Sequence, residues 1–186
     1  MKADCEKIYS RETTPWEQDG KGKRLKEYYQ TSRDKLYILV NRLDGSIAEV
    51  GCGLGYSLNY ITGQKEGDFT GYDISPVAIG RAKKLFPLLK FETLDIRKQK
   101  VKADIIILSE LLWYVVDDLK SVFSNCQCKY LIVNQSFLPE QKYDKDIVDG
   151  YNGLTKIVLS NGYTIINSSY NYKDRPLMNG LMLCIK

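Results

Sequence analysis

Histidine is absent from the 186 residues. That absence removes the Ser-His-Asp triad, the Cys-His pair and every histidine-containing metal site. Proton transfer, if the chain performs any, falls to carboxylates, tyrosines, lysines, cysteines or a bound cofactor. Cysteine is sparse: Cys5, Cys52, Cys126, Cys128 and Cys184. Their number is odd and none forms a Cys-x-x-Cys pair, so free thiols in a reducing compartment are expected. Cys126 and Cys128 alone supply too few ligands for a metal, and no metal site is expected. Long apolar runs are also missing. None approaches the roughly 18 residues of a membrane span. No apolar stretch follows Met1-Lys2-Ala3-Asp4-Cys5-Glu6-Lys7, so no secretory signal is expected and the chain reads as cytoplasmic, without a membrane partner. Strong charge of one sign is lacking too. The net charge is +4. Its densest basic run, Lys21 to Lys26, is short for a nucleic-acid footprint, and reads as a solvated loop and helix start.

What remains is an ordinary globular composition, 44% hydrophobic and 27% charged, of a length that fits one domain. The first 22 residues are polar, with Pro15-Trp16 among them, and read as a loop or short helix. A helical pattern runs from about Arg24 to Leu43. The expected domain is the whole chain, residues 1–45 forming a lid or helical segment and 46–186 the core. Strands are predicted at 46–50, 69–74, 90–94, 103–109 and 129–136. Helices are predicted at 56–62, 76–85, 117–125 and 149–160, with Asp117 as a cap of the third. Two closing strands, 163–168 and 181–186, read as an antiparallel pair. Ser75-Pro76 fits an N-cap and first helical position. The continuous apolar run Ile105 to Leu108 belongs to a strand buried on both faces. Strand-helix alternation predicts an α/β sheet with helices on both faces. Ligands of such sheets bind beyond the carboxyl ends of the strands.

The first strand runs into Glu49-Val50-Gly51-Cys52-Gly53-Leu54-Gly55. A dinucleotide fingerprint would need a third glycine at position 56, where Tyr56 stands. No Gly-Lys-Ser/Thr is present, which argues against a triphosphate. A ligand without a pyrophosphate fits better. Asp73 ends the second predicted strand, eighteen residues after Gly55, where a carboxylate can accept from both hydroxyls of a ribose.

These stretches, with Leu94-Asp95-Ile96 and Ala103 to Glu110, resemble the class I S-adenosylmethionine-dependent methyltransferases over about residues 43–186. The resemblance implies a single-domain Rossmann-like fold, a mostly parallel seven-stranded sheet with helices on both faces and an antiparallel last strand. It implies S-adenosylmethionine as cofactor and S-adenosylhomocysteine as product. Glu49 and the backbone of Gly51, Cys52, Gly53 and Gly55 would hold the methionine end, Asp73 the ribose. Ile74 would pack on adenine, and Asp95 with Ile96 would meet its amino edge. Ser109-Glu110-Leu111-Leu112-Trp113-Tyr114 resembles a stretch of the nodulation N-methyltransferases that act on chitin-type oligosaccharides.

Methyl transfer asks the protein for alignment and desolvation. The base candidates are Glu110, Tyr114, Tyr143, Asp144 and Asp146, with Glu110 ranked first and the catalytic set read as Glu110, Tyr114 and Tyr143. Trp16 is open to two readings, a lid over the cofactor or an anchor of the N-terminal segment. The stretch 135–149 is expected to line an acceptor pocket. The expected acceptor is a small molecule, sugar, nucleotide sugar or glycan, methylated at nitrogen or oxygen. A non-catalytic cofactor-binding subunit and an RNA methyltransferase are the alternatives. No Asn-Pro-Pro-Tyr or Asp-Pro-Pro-Tyr block follows the fourth strand, which argues against DNA adenine.

Overall fold

A computed structural model describes residues 2–22, 25–63, 66–137, 150–170 and 178–186. The chain divides into two compact units, Met1–Asp95 and Ile96–Lys186.

The first unit opens with helix α1 (Lys2–Arg11) and a single 3-10 turn at Pro15–Glu17. Helix α2 (Lys26–Val40) follows, shorter at both ends than its apolar periodicity suggests. Then β1 (Ile47–Val50), α3 (Tyr56–Thr62), β2 (Phe69–Asp73), α4 (Pro76–Leu85) and β3 (Lys90–Thr93) alternate. Strand β2 pairs in parallel with β1, Tyr72 opposite Val50, and with β3, Asp73 opposite Thr93. Ser75 caps α4 as expected, its Oγ accepting from the Ala78 amide at 3.1 Å. Arg81 of α4 clasps the end of α1. Its Nη1 donates to the carbonyls of Tyr9 and Glu12, each at 2.8 Å, and its Nη2 to that of Thr13. A cation there satisfies carbonyls that a helix end leaves open. At the other end of the contact, Ser75 Oγ donates to Glu6 Oε2 at 2.6 Å.

The second unit holds β4 (Val101–Lys102), β5 (Ile105–Ser109), 3-10 turns at Leu112–Tyr114 and Val116–Asp118, and α5 (Leu119–Asn125). After these come β6 (Cys126–Gln127), β7 (Tyr130–Phe137), α6 (Gly150–Ser160), β8 (Thr164–Tyr170) and β9 (Met178–Ile185). Strand β5 pairs in parallel with β7, Ser109 opposite Asn134. Strand β9 runs antiparallel to both β7 and β8. Ile105 to Leu108 are all inaccessible, as their unbroken apolar run predicts. Asp117 does not cap a helix: it lies inside a 3-10 turn, and α5 starts at Leu119 without a side-chain cap.

The first unit contributes three strands, ordered β3-β2-β1, and the second four, ordered β5-β7-β9-β8. That is the expected α/β class: seven strands, mostly parallel, the last antiparallel to its neighbours. Strands β4 and β6 pair separately as a two-residue ribbon. Among the described residues no helix is long and apolar enough to cross a membrane.

Candidate active site

Beyond β1 the chain turns through Gly51, Gly53 and Gly55 at φ +78°, +55° and +81°. Side chains are disfavoured at such angles. Two of these glycines also make room. A Cβ on Gly55 would lie 2.6 Å from the Phe91 ring, and one on Gly53 would lie 2.6 Å from both Gln18 Oε1 and Tyr9 Oη. The amides of Gly51 and Cys52 both donate to the Tyr72 carbonyl, at 2.7 and 3.0 Å, and tie the loop to β2. Cys52 is buried. Burial, then Asp73, pushes its thiol well above the ordinary range, so it packs and stays protonated.

Asp73 closes β2 and is 7% exposed. Its Oδ2 accepts from the Gly53 amide and its Oδ1 from the Ser75 amide, both at 2.9 Å. Burial raises this carboxyl, and the two amides pull it back down. Ile74 and Asp95 are half-buried. Glu49 is 2% exposed. It accepts from the Ser57 hydroxyl and the Leu58 amide, in the first turn of α3, while its Oε2 has no partner. Burial lifts its pKa to about 7, against the pull of Arg33.

The N-terminal segment closes on the same loop. Gln18 Oε1 accepts from the Leu54 amide at 3.0 Å, and Gln18 Nε2 donates to Tyr9 Oη at 3.2 Å. Tyr9 is 6% exposed; burial first, then Asp73, raises its hydroxyl. Trp16 meets the Tyr9 ring edge-on at 5.5 Å and packs against Tyr9, Leu54 and Ala78. Its carbonyl accepts from the Tyr29 hydroxyl at 2.9 Å. Trp16 thus packs beside the glycine loop.

In the second unit Ser109 and Glu110 follow β5. Ser109 Oγ accepts from Asn134 Nδ2 at 2.8 Å. Glu110 has φ +54°. Its amide donates to the Asn134 carbonyl at 2.9 Å. Its Oε2 accepts from Ser136 Oγ and, at 3.4 Å, from Gln135 Nε2. Gln135 Oε1 in turn accepts from the Leu112 amide at 3.2 Å. Tyr114 ends the turn at Leu112–Tyr114 and is half-buried. Ile96 is buried, its carbonyl accepting from Asn125 Nδ2 at 2.7 Å. Tyr143, Asp144 and Asp146 lie outside the described residues. Among the described residues no group of three or more Cys, Asp or Glu is placed to hold a metal.

By sequence, residues 48–131 match the family described as methyltransferase domain, a span that begins in β1 and ends in β7. Among curated proteins, none matches the chain by sequence. Solved structures show the fold it shares. Magnesium protoporphyrin IX methyltransferase from Synechocystis PCC 6803, with bound S-adenosylmethionine, superposes with a TM-score of 0.76 at 18% identity, covering 100% of this chain and 96% of that one. The same enzyme with S-adenosylhomocysteine gives 0.74 at 17%, covering 100% and 99%. The [4+2]-cyclase SpnF gives 0.67 at 14%, covering 85% and 82%. The fold is thus the Rossmann-like methyltransferase fold.

The glycine loop and the end of β5 owe part of their surroundings to residues that sequence reasoning passed over. Tyr9, Gln18 and Arg33 all precede the matched span. Gln18 meets Leu54 across 36 positions, with no local pattern to betray it. Ser57 and Asn134 lie beside singled-out residues but carry no motif of their own, while Gln135 and Ser136 open the stretch expected to line an acceptor pocket.

Proposed function

We propose that this chain transfers a methyl group from S-adenosylmethionine to a nitrogen or oxygen of a small molecule, with sugars and nucleotide sugars as first candidates. The supporting observation is the Asp73 carboxylate, which closes β2 and bonds across to Gly53 in a positive-φ glycine loop. The residues present fit the cofactor. Glu49 Oε2, at the entry to the loop, is buried without a partner. The bound cofactor supplies a methyl carbon activated by a sulfonium.

In this reading the whole chain works as one domain, in the cytoplasm. Gly51, Gly53 and Gly55 let a ligand approach the backbone, and Asp73 keeps acceptor capacity for a ribose diol. Ile74, Asp95 and Ile96 serve the adenine. Glu110 orients an amine or takes a proton from a hydroxyl, its carboxylate held by Ser136 and Gln135. Tyr114 and Tyr143 are further candidates beside it, and Ser109 borders both substrates.

Titration calorimetry of the chain with S-adenosylmethionine and S-adenosylhomocysteine tests the cofactor assignment. Binding is expected, weakened about tenfold or more by Asp73→Ala, since a charged group's hydrogen bonds are lost. No wild-type binding at millimolar cofactor overturns it. A second reading, binding without methyl transfer, draws support from SpnF, a cyclase of the same fold. A screen of nucleotide sugars, amines and RNA for S-adenosylhomocysteine release separates the two.

A further inference from the structure

The end of α4 presents apolar side chains to water where the fold has no use for them. The Leu89 amide donates to the Phe86 carbonyl at 3.1 Å and closes a turn with Pro87 and Leu88 at its centre. Proline suits the first central position of such a turn, and glycine or a small polar residue is usual at the second. Here the second is Leu88, 98% exposed. Leu85, the last residue of α4, is 44% exposed. Phe86 fixes the turn from beneath: its ring meets that of Tyr56 edge-on at 5.3 Å and lies beside Gly55. Leu88 is thus held out on a packed base.

The charge around this tip is mostly of one sign. No acidic residue occurs between Asp73 and Glu92. Lys83 and Lys84, both exposed, stand in the last turn of α4 just before the tip. Cations suit a helix C-terminus, which accounts for the lysines in part but not for Leu88. Lys90 follows the turn and is neutralised by Asp68, its ammonium 2.6 Å from that carboxylate. Arg81 is spent on the carbonyls at the end of α1.

We propose that Leu85 and Leu88, with Lys83 and Lys84, form a peripheral docking tip for an anionic lipid surface. A lipid interface asks for no matching shape. It takes an isolated apolar tip to the level of its acyl chains and keeps lysines at the level of its phosphates. A protein partner asks for a broad patch, on the order of 800 Å² a side, which two leucines at one turn do not supply. The tip spans nothing. It adds a surface contact where the lack of long apolar runs predicts no membrane partner, and it does not depend on the cofactor reading.

Co-sedimentation of the full chain with vesicles tests the tip. Vesicles of phosphatidylcholine and phosphatidylglycerol in equal parts are expected to bind it about tenfold or more above phosphatidylcholine alone, and less as salt rises. Leu88→Ser is expected to weaken that binding about tenfold. Lys83→Ala and Lys84→Ala are expected to weaken it about fivefold each. All three side chains are exposed, so the melting curves are expected to stay in place. Ile38→Ser, at an apolar residue of α2 that is 53% exposed, is the control and is expected to bind as wild type does. Wild type failing to bind the mixed vesicles overturns the proposal and points the tip at a protein instead. Leu88→Ser binding as well as wild type overturns it, since net charge alone then explains the attraction. Equal binding to both kinds of vesicle, or an equal loss in Ile38→Ser, overturns it too.

Discussion

Glu49 is a carboxylate whose surroundings work against its charge. Its folded pKa of about 7 stands above the ordinary 4.5, with burial as the cause and Arg33, Ser57 and the Leu58 amide opposing it. Asp73 adds a smaller push in the same direction. A raised acid binds more protons folded than unfolded, so its contribution is complete below pH 4.5 and is lost as pH rises towards 7. Glu49→Gln removes that titration. The stability of wild type relative to this variant is expected to fall between pH 4.5 and 7, by on the order of 3 kcal/mol, and then to level off. Urea unfolding at several pH values measures it. A constant difference across that range would mean that Glu49 titrates normally. Asp73, also raised by burial, leaves a residual slope of the same sign in both proteins.

Among the elements, α1 depends on a contact that no local pattern announces. Arg81 ties its last carbonyls to α4, partly at the surface. Arg81→Ala is expected to cost about 1–2 kcal/mol. Hydrogen exchange should quicken for the α1 amides and at Leu54, and stay unchanged in β1. Equal protection in α1 would show the clasp to be idle. The helices that sequence reasoning placed end to end, α3 and α4, start from local signals, Gly55 and Ser75-Pro76. The parallel strands were legible because Ile105 to Leu108 is an apolar run and Ile47 to Val50 leads directly into the glycines. Strands β4 and β6 were not, because two residues pair only when distant parts of the chain meet. Glu49, Asp73 and Ser109 were placed in the same way, each falling in the last residues of a strand. Arg33 and Gln18 were not, because a polar residue on a helix or in a polar segment reads as solvated until the fold buries it.

Across the whole molecule, the thiols report on both units. Cys52 lies in the first, Cys126 and Cys184 in the second, and all three are buried. Burial pushes Cys126 and Cys184 each up to about 12 and Cys52 well up. Thiolate is the reactive form, so labelling in native buffer is expected to start at Cys5, which is only half-buried, with these three following at the rate of unfolding. Peptide mapping after timed alkylation checks this. Early modification of Cys52 alone would show the first unit opening by itself. The glycine loop's own partners add a last consequence. Gln18 and Tyr9, which close on Gly53 and Leu54, belong to the segment before Asn41, while the stretch that matches the methyltransferase-domain family begins at Ala48. Cover and loop are therefore consecutive, separable blocks of chain, joined by the few residues between α2 and β1. A lineage could exchange one block by recombination in that joint, keeping its glycine loop while acquiring a different cover.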